Sequence, residues 1–160
     1  MSKFGKKVFI AVRHGCHDRQ HELTADGMVQ MTWLAMALRA VATKRNLHIE
    51  ILSSSEPCAL AGAQVIAKKL GIEPEKVMAH DCFWADISHR GDCQTAVKVV
   101  EALFRDGTLL LLVSNVMMTH RLVRYIAAKE GFDAKMDKEI EHGHGLMVAQ
   151  KGVSLFPRPK

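Results

Sequence analysis

No C-x-x-C pair occurs among the four cysteines, Cys16, Cys58, Cys82 and Cys93, and the histidines show no closed zinc-ligand spacing. Zinc-finger and dithiol-redox modules are therefore set aside, and no metal or cofactor is expected. No run of 18 apolar residues is present, and no apolar leader follows Met1-Ser2-Lys3, so neither a membrane partner nor secretion is expected and the protein reads as cytoplasmic. Internal repeats, linkers and low-complexity tracts are absent. Lysine and arginine exceed aspartate and glutamate by 22 to 17, but they are scattered as Lys6-Lys7, Lys44-Arg45, Lys68-Lys69 and Arg158-Pro159-Lys160. Without a contiguous basic face, nucleic acid is not an expected partner.

With 48% hydrophobic and 24% charged residues, the 160-residue chain has the composition of a globular protein. A chain of this length buries roughly 70% of its unfolded surface and needs no disulfide staples. We expect one domain over 1–160, with 156–160 as a loose tail.

Strand and helix patterns alternate. Lys7 to Val12 is a β-rich apolar run without helical period, a strand buried on both faces. Thr24 is an N-cap and Asp26 suits a first turn. Met28, Met31, Leu34, Ala35, Leu38 and Val41 then recur at helical steps to about Thr43, which places Met28, Met31 and Met36 in the core. His48 to Ser53 predicts a strand, Cys58 to Leu70 a helix closed by Gly71, Lys76 to Ala79 a short strand and Gln94 to Arg105 a helix. Leu109 to Ser114 is all apolar until its last residue and suits a central parallel strand. Thr119 to Lys129 predicts a helix and Gly145 to Gln150 a last strand. The expected fold is α/β, a three-layer sandwich with a mostly parallel central sheet and helices on both faces.

The first strand ends in Arg13-His14-Gly15, a cation and an imidazole at a strand's carboxyl end, where open α/β sheets bind ligands. Leu23-Thr24-Ala25-Asp26-Gly27 then opens the first helix, a later strand ends in Ser53-Ser54, and the apolar strand ends in Val113-Ser114. In this order the motifs resemble those of the histidine phosphatase superfamily, the phosphoglycerate-mutase-like proteins. In length the chain is most similar to the short phosphohistidine phosphatase branch. The resemblance covers about residues 7 to 150 and implies that His14 attacks phosphorus while Arg13 binds the phosphoryl oxygens. A neutral imidazole is a competent nucleophile near pH 7, and a guanidinium neutralises the transferring group.

Two positions depart from the pattern. Cys58 stands where the resemblance expects a phosphate-clamping Arg, and Asn115 follows Ser114 where a His is expected. The resemblance implies phosphate binding by Arg13, Gln20, Asn115 and His144, the last as a partial substitute for the missing His. It also implies a carboxylate general acid, for which Asp86 is the candidate, with Asp81 and His89 as competitors. Cys58 reads first as an inert helix-start thiol; the alternative, since a helix N-terminus lowers a thiol pKa, is that Cys58 and Cys16 form a reactive or metal-binding pair at the same pocket. His14, His17 and His21 as metal ligands would need a helix where the resemblance implies a loop. His142 and His120 read as ordinary loop and helix residues.

The expected activity is metal-independent hydrolysis of a phosphate monoester or phosphohistidine through a phosphohistidine at His14, the partner being a phosphorylated small molecule or phosphoprotein. A mutase would need a longer lid than this chain offers. The alternative is a weak or inactive relative whose crevice serves anion binding or protein interaction.

Overall fold

The computed structural model describes residues 6–85, 91–133 and 139–157. Six strands form one sheet: β1 (Val8–Arg13), β2 (His48–Ser54), β3 (Met78–His80), β4 (Thr108–Ser114), β5 (Gly145–Ala149) and β6 (Gly152–Phe156), in the order β3-β2-β4-β1-β5-β6. The β3-β2, β2-β4 and β4-β1 pairs are parallel, and β1-β5 and β5-β6 are antiparallel. The architecture is the expected α/β sandwich.

Alternation along the central strands divides the core into two layers, because successive side chains leave opposite faces of a pleated strand. Val8, Ile10 and Val12 of β1 and Leu109, Leu111 and Val113 of β4 face one layer, with Met31, Leu34 and Leu38 of α1 (Ala25–Arg45) and Ala59, Ala63 and Ile66 of α2 (Pro57–Lys69). Phe9, Ala11, Leu110 and Leu112 face the other, with Ala96 and Val100 of α3 (Cys93–Leu103) and Met118, Leu122 and Ile126 of α4 (Val116–Lys129). A strand covered on both faces is the reason the sequence of β4 reads as one apolar run. No described helix is long and apolar enough to cross a membrane.

Several expectations are corrected. Of the methionine stripe only Met31 is core, while Met28 and Met36 are exposed together with Trp33 on the outer side of α1. Helix α4 begins three residues before Thr119 because the Asn115 side chain caps it. A short 3-10 turn occupies Pro74–Lys76, which moves β3 on to Met78. Phe156 is not tail: it ends β6, pairs with Gly145 and is buried.

The register brings the site together. Arg13 pairs with Ser114 and Ser53 with Val113, so β1, β2 and β4 end at one sheet edge, while β5, running the other way, begins there at Gly145. The loop after β1 is clamped to α1 by two glycines. A Cβ on Gly15 would lie 2.6 Å from the Gly27 carbonyl oxygen, and one on Gly27 would lie 2.2 Å from the Cys16 carbonyl oxygen. Thr24 completes the junction, its hydroxyl accepting from Gly27 N–H at 3.1 Å and donating to the Cys16 carbonyl at 3.2 Å. We predict that Gly27→Ala lowers the unfolding free energy by about 3 kcal/mol in urea titration, because the clash is between two backbones that cannot both yield. A loss under about 1 kcal/mol would mean that the junction is looser than described.

Candidate functional site

His14 follows β1 directly and is buried, 4% exposed, at the carboxyl edge of the sheet. Its backbone is held by β4, His14 N–H donating to the Ser114 carbonyl at 3.0 Å. Its ring Nδ1 lies 3.0 Å from the Gly15 carbonyl oxygen. A carbonyl only accepts, so Nδ1 carries the proton and Nε2 is the nitrogen left with a lone pair. Burial pushes the His14 pKa down from 6.5 to about 4, despite the Gly15 hydrogen bond, and the charges of His17, His142 and Arg13 add to the depression. At neutral pH the ring is therefore an uncharged base.

Three other histidines surround it. The His17 and His142 ring centroids lie 5.1 and 5.6 Å from that of His14, and His21 stacks on His17 at 5.3 Å. His142 arrives from the turn before β5 and sets its Nδ1 3.1 Å from the His14 carbonyl oxygen; burial lowers its pKa as well. His17 sets its Nδ1 2.9 Å from the Asp18 carbonyl oxygen. His21 adopts a left-handed backbone, φ 61°, and its Nδ1 lies 3.4 Å from Glu56 Oε1. Glu56, just before α2, is buried with Oε2 unpartnered.

Arg13 is half-buried, and its Nη1 donates to the Ile140 carbonyl at 2.9 Å, which fixes the guanidinium against the segment leading to β5. Arg13 N–H donates to the His144 carbonyl at 2.8 Å. Arg13 and His14 are thus adjoining and anchored by opposite neighbours, β5 and β4.

The remaining expected residues divide. Cys58 does lie at the site: its thiol and ring nitrogens of His14 and His17 are within 4.8 Å of one another. The thiol is the inert one of the first reading and the activated alternative is reversed, since burial first and then the Glu56 charge push it up to about 12. The helix N-terminus loses to desolvation. Cys16 instead meets Gln30, whose Nε2 donates to its sulfur at 3.4 Å.

Asn115 acts as a cap. Its Oδ1 accepts from Met118 N–H at 2.9 Å and its Nδ2 donates to the Ala85 carbonyl, so both ends of the amide are engaged by the protein's own backbone. His144 is exposed with Nδ1 against the His142 carbonyl oxygen, and the neighbouring His142 is the ring that packs on His14. Gln20 is exposed in the loop after the motif, its backbone N–H donating to Asp18. Asp81 is exposed and accepts from the Ser55 hydroxyl. Asp86 and His89 lie outside the described residues. His120 is half-buried with its Nδ1 unpartnered, and burial lowers its pKa.

Sequence reasoning missed Glu56 and misassigned His142. The only signal for His142 was the His-Gly-His spacing, which does not say which ring turns inward. For Glu56 a carboxylate immediately before Pro57, the first residue of α2, was the available hint.

The burial of His14 has a pH signature. Its folded pKa lies below the unfolded value, so the unfolded chain binds more protons between these two values. Stability contributed by the neutral ring is complete above pH 6.5 and is lost as pH falls toward 4. We predict a loss of about 3 kcal/mol across that window, and a shallower decline in His14→Gln, measured by urea unfolding at successive pH values. Equal slopes would contradict a buried neutral His14.

No family model and no curated protein matches the chain. Solved structures do. The protein histidine phosphatase SixA complexed with tungstate aligns at TM-score 0.68 and 14% identity, over 92% of this chain and 93% of that one. A mycobacterial glucosyl-3-phosphoglycerate phosphatase aligns at TM-score 0.60 and 13% identity, over 93% and 95%. A phosphoglycerate mutase from Plasmodium falciparum aligns at TM-score 0.58 and 14% identity, over 96% and 89%. With an α/β sheet of this order and near-complete coverage in both directions, the chain shares the fold of these phosphatase and mutase structures and is similar to them in length.

Proposed function

We propose that the protein is a phosphohydrolase of the histidine phosphatase type, acting on a phosphate monoester or phosphohistidine of a small molecule or protein. The observation that carries this reading is the state of His14: uncharged, with Nδ1 tied to the Gly15 carbonyl and Nε2 left unprotonated, next in sequence to Arg13, whose guanidinium is anchored on Ile140. Nε2 attacks phosphorus, the bond from phosphorus to the leaving oxygen or nitrogen breaks, and the leaving group takes a proton. Water then cleaves the phosphorus–nitrogen bond and releases phosphate. Arg13 neutralises oxygens of the transferring group, an electrostatic role that counts for more where water is excluded. The fold supports the reading, since the tungstate-bound neighbour and the phosphatase neighbour are enzymes or complexes of this chemistry by name. The leaving group's proton donor is Asp86 in this proposal, and a phosphohistidine substrate asks less of it.

A second reading is favoured by Cys58 and Asn115. One is a protonated buried thiol and the other a neutral helix cap, so neither supplies the positive charge that would complete the clamp. On that reading the crevice holds an anion or a protein partner without turnover. Hydrolysis of an aryl phosphate separates the two. We expect measurable turnover and an acid-labile phosphoenzyme in the wild type, with His14→Ala reducing the rate by about 10³-fold or more and abolishing the phosphoenzyme. Identical rates in both proteins would reject the hydrolase. In the same assay Cys58→Arg raises the rate if the natural site is a weakened catalyst.

A further inference from the structure

The cluster around His14 has the donor chemistry of a transition-metal site. A ring nitrogen of His14, a ring nitrogen of His17 and Sγ of Cys58 lie within 4.8 Å of one another, and a second group of His21, Glu56 and Cys58 meets the same limit. Cys58 belongs to both. Tetrahedral zinc with bonds of about 2.0–2.3 Å needs neighbouring ligands roughly 3.3–3.8 Å apart, so closure takes about 1 Å of side-chain adjustment.

Two further observations point the same way. His14 and His17 each place Nδ1 on a backbone carbonyl, of Gly15 and Asp18, at 3.0 and 2.9 Å. Zinc-ligating histidines characteristically donate their other ring N–H to such an acceptor, which orients the ring and leaves Nε2 to the metal. Glu56 is 4% exposed with Oε2 unpartnered, and its carboxylate faces the Cys58 thiol proton. A buried carboxylate oxygen without a donor is costly unless a cation or a proton comes to it.

We propose that His14, His17 and Cys58 bind one divalent transition-metal ion of the zinc class, with Glu56 taking the thiol proton, and that metal and phosphohistidine exclude each other at His14. On binding, the Cys58 S–H bond breaks, an S–metal bond forms, and the proton passes to the Glu56 carboxylate. One thiolate and two neutral imidazoles leave the ion a single net positive charge, at the position where the fold's resemblance expects an arginine. The fourth coordination position stays open to water or an anion. Exclusion follows because Nε2 is the one lone pair His14 has to offer. The proposal stands on the side-chain cluster and not on hydrolase activity.

Cobalt(II) added to the metal-free full-length chain tests it. The expected result is one bound equivalent, with the visible bands of tetrahedral cobalt and a sulfur-to-cobalt charge-transfer band in the near ultraviolet. Cys58→Ser should remove the charge-transfer band, and His17→Ala should weaken binding at least about tenfold, while the exposed His144→Ala binds as wild type. His17 lies in a loop, so its variant carries the test if circular dichroism shows Cys58→Ser to be unfolded. No bound equivalent, octahedral spectra without sulfur charge transfer, or unchanged affinity in His17→Ala would each overturn the site. If the wild type hydrolyses aryl phosphate, one equivalent of zinc should abolish turnover and phosphoenzyme together; retained turnover in the zinc-loaded protein would overturn the exclusion. The cobalt spectra remain decisive if no hydrolysis occurs.

Discussion

Two backbones in contact, at Gly15 and Gly27, hold the site in place. The loop that carries Arg13 and His14 out of β1 cannot drift from the N-terminus of α1, because the carbonyl oxygens of Gly27 and Cys16 occupy the volume any side chain at these positions would need. The strand end is fixed from the sides as well. Ser114 of β4 accepts from His14 N–H, and His144, leading into β5, accepts from Arg13 N–H. Three independent elements thus determine where one imidazole sits. An imidazole with no freedom to leave a dry site loses its charge there, and the depressed His14 pKa is the electrostatic consequence of that packing.

Chemistry follows from the same confinement. The Gly15 carbonyl settles which nitrogen bears the proton, and the neighbouring guanidinium of Arg13 supplies positive charge without an acidic proton to lose. Around this pair the site is built from histidine, cysteine and glutamate, in contrast to a clamp of arginine. His17, His142 and Cys58 are donors suited to borderline cations once deprotonated, whereas Arg13 is suited to oxyanions. The two sets meet at His14, which is the residue both kinds of ligand would use.

Much of the architecture was readable from residue order. The apolar run of β4 and the Thr24-capped periodicity of α1 are local signals that tertiary packing reinforces, and they placed strand ends correctly within a residue or two. The motif Arg13-His14-Gly15 was legible because it joins a strand end to a glycine that only backbone contact explains. What was not legible depended on partners distant in sequence. Asn115 reads as a phosphate ligand until Met118 and Ala85 are seen to engage it as a helix cap. Which of His142 and His144 turns inward depends on the antiparallel entry of β5. Cys58 reads as an inert or an activated helix-start thiol until its burial beside Glu56 raises its pKa and decides for the inert one. The strand β6 that completes the hairpin with β5 was missed because its five residues, Gly152–Phe156, carry little periodicity on their own.

The central claim is that His14 is a neutral imidazole protonated at Nδ1, with an unprotonated Nε2, next to Arg13 in the chain. Long-range proton–nitrogen correlation NMR of the histidine side chains measures this directly, since protonated, unprotonated and charged ring nitrogens resonate in distinct regions. The account predicts a protonated Nδ1 and an unprotonated Nε2 for His14 throughout pH 6 to 8, unchanged until the pH approaches about 4. An Nε2-protonated tautomer, or a His14 that titrates at its ordinary 6.5, would contradict it.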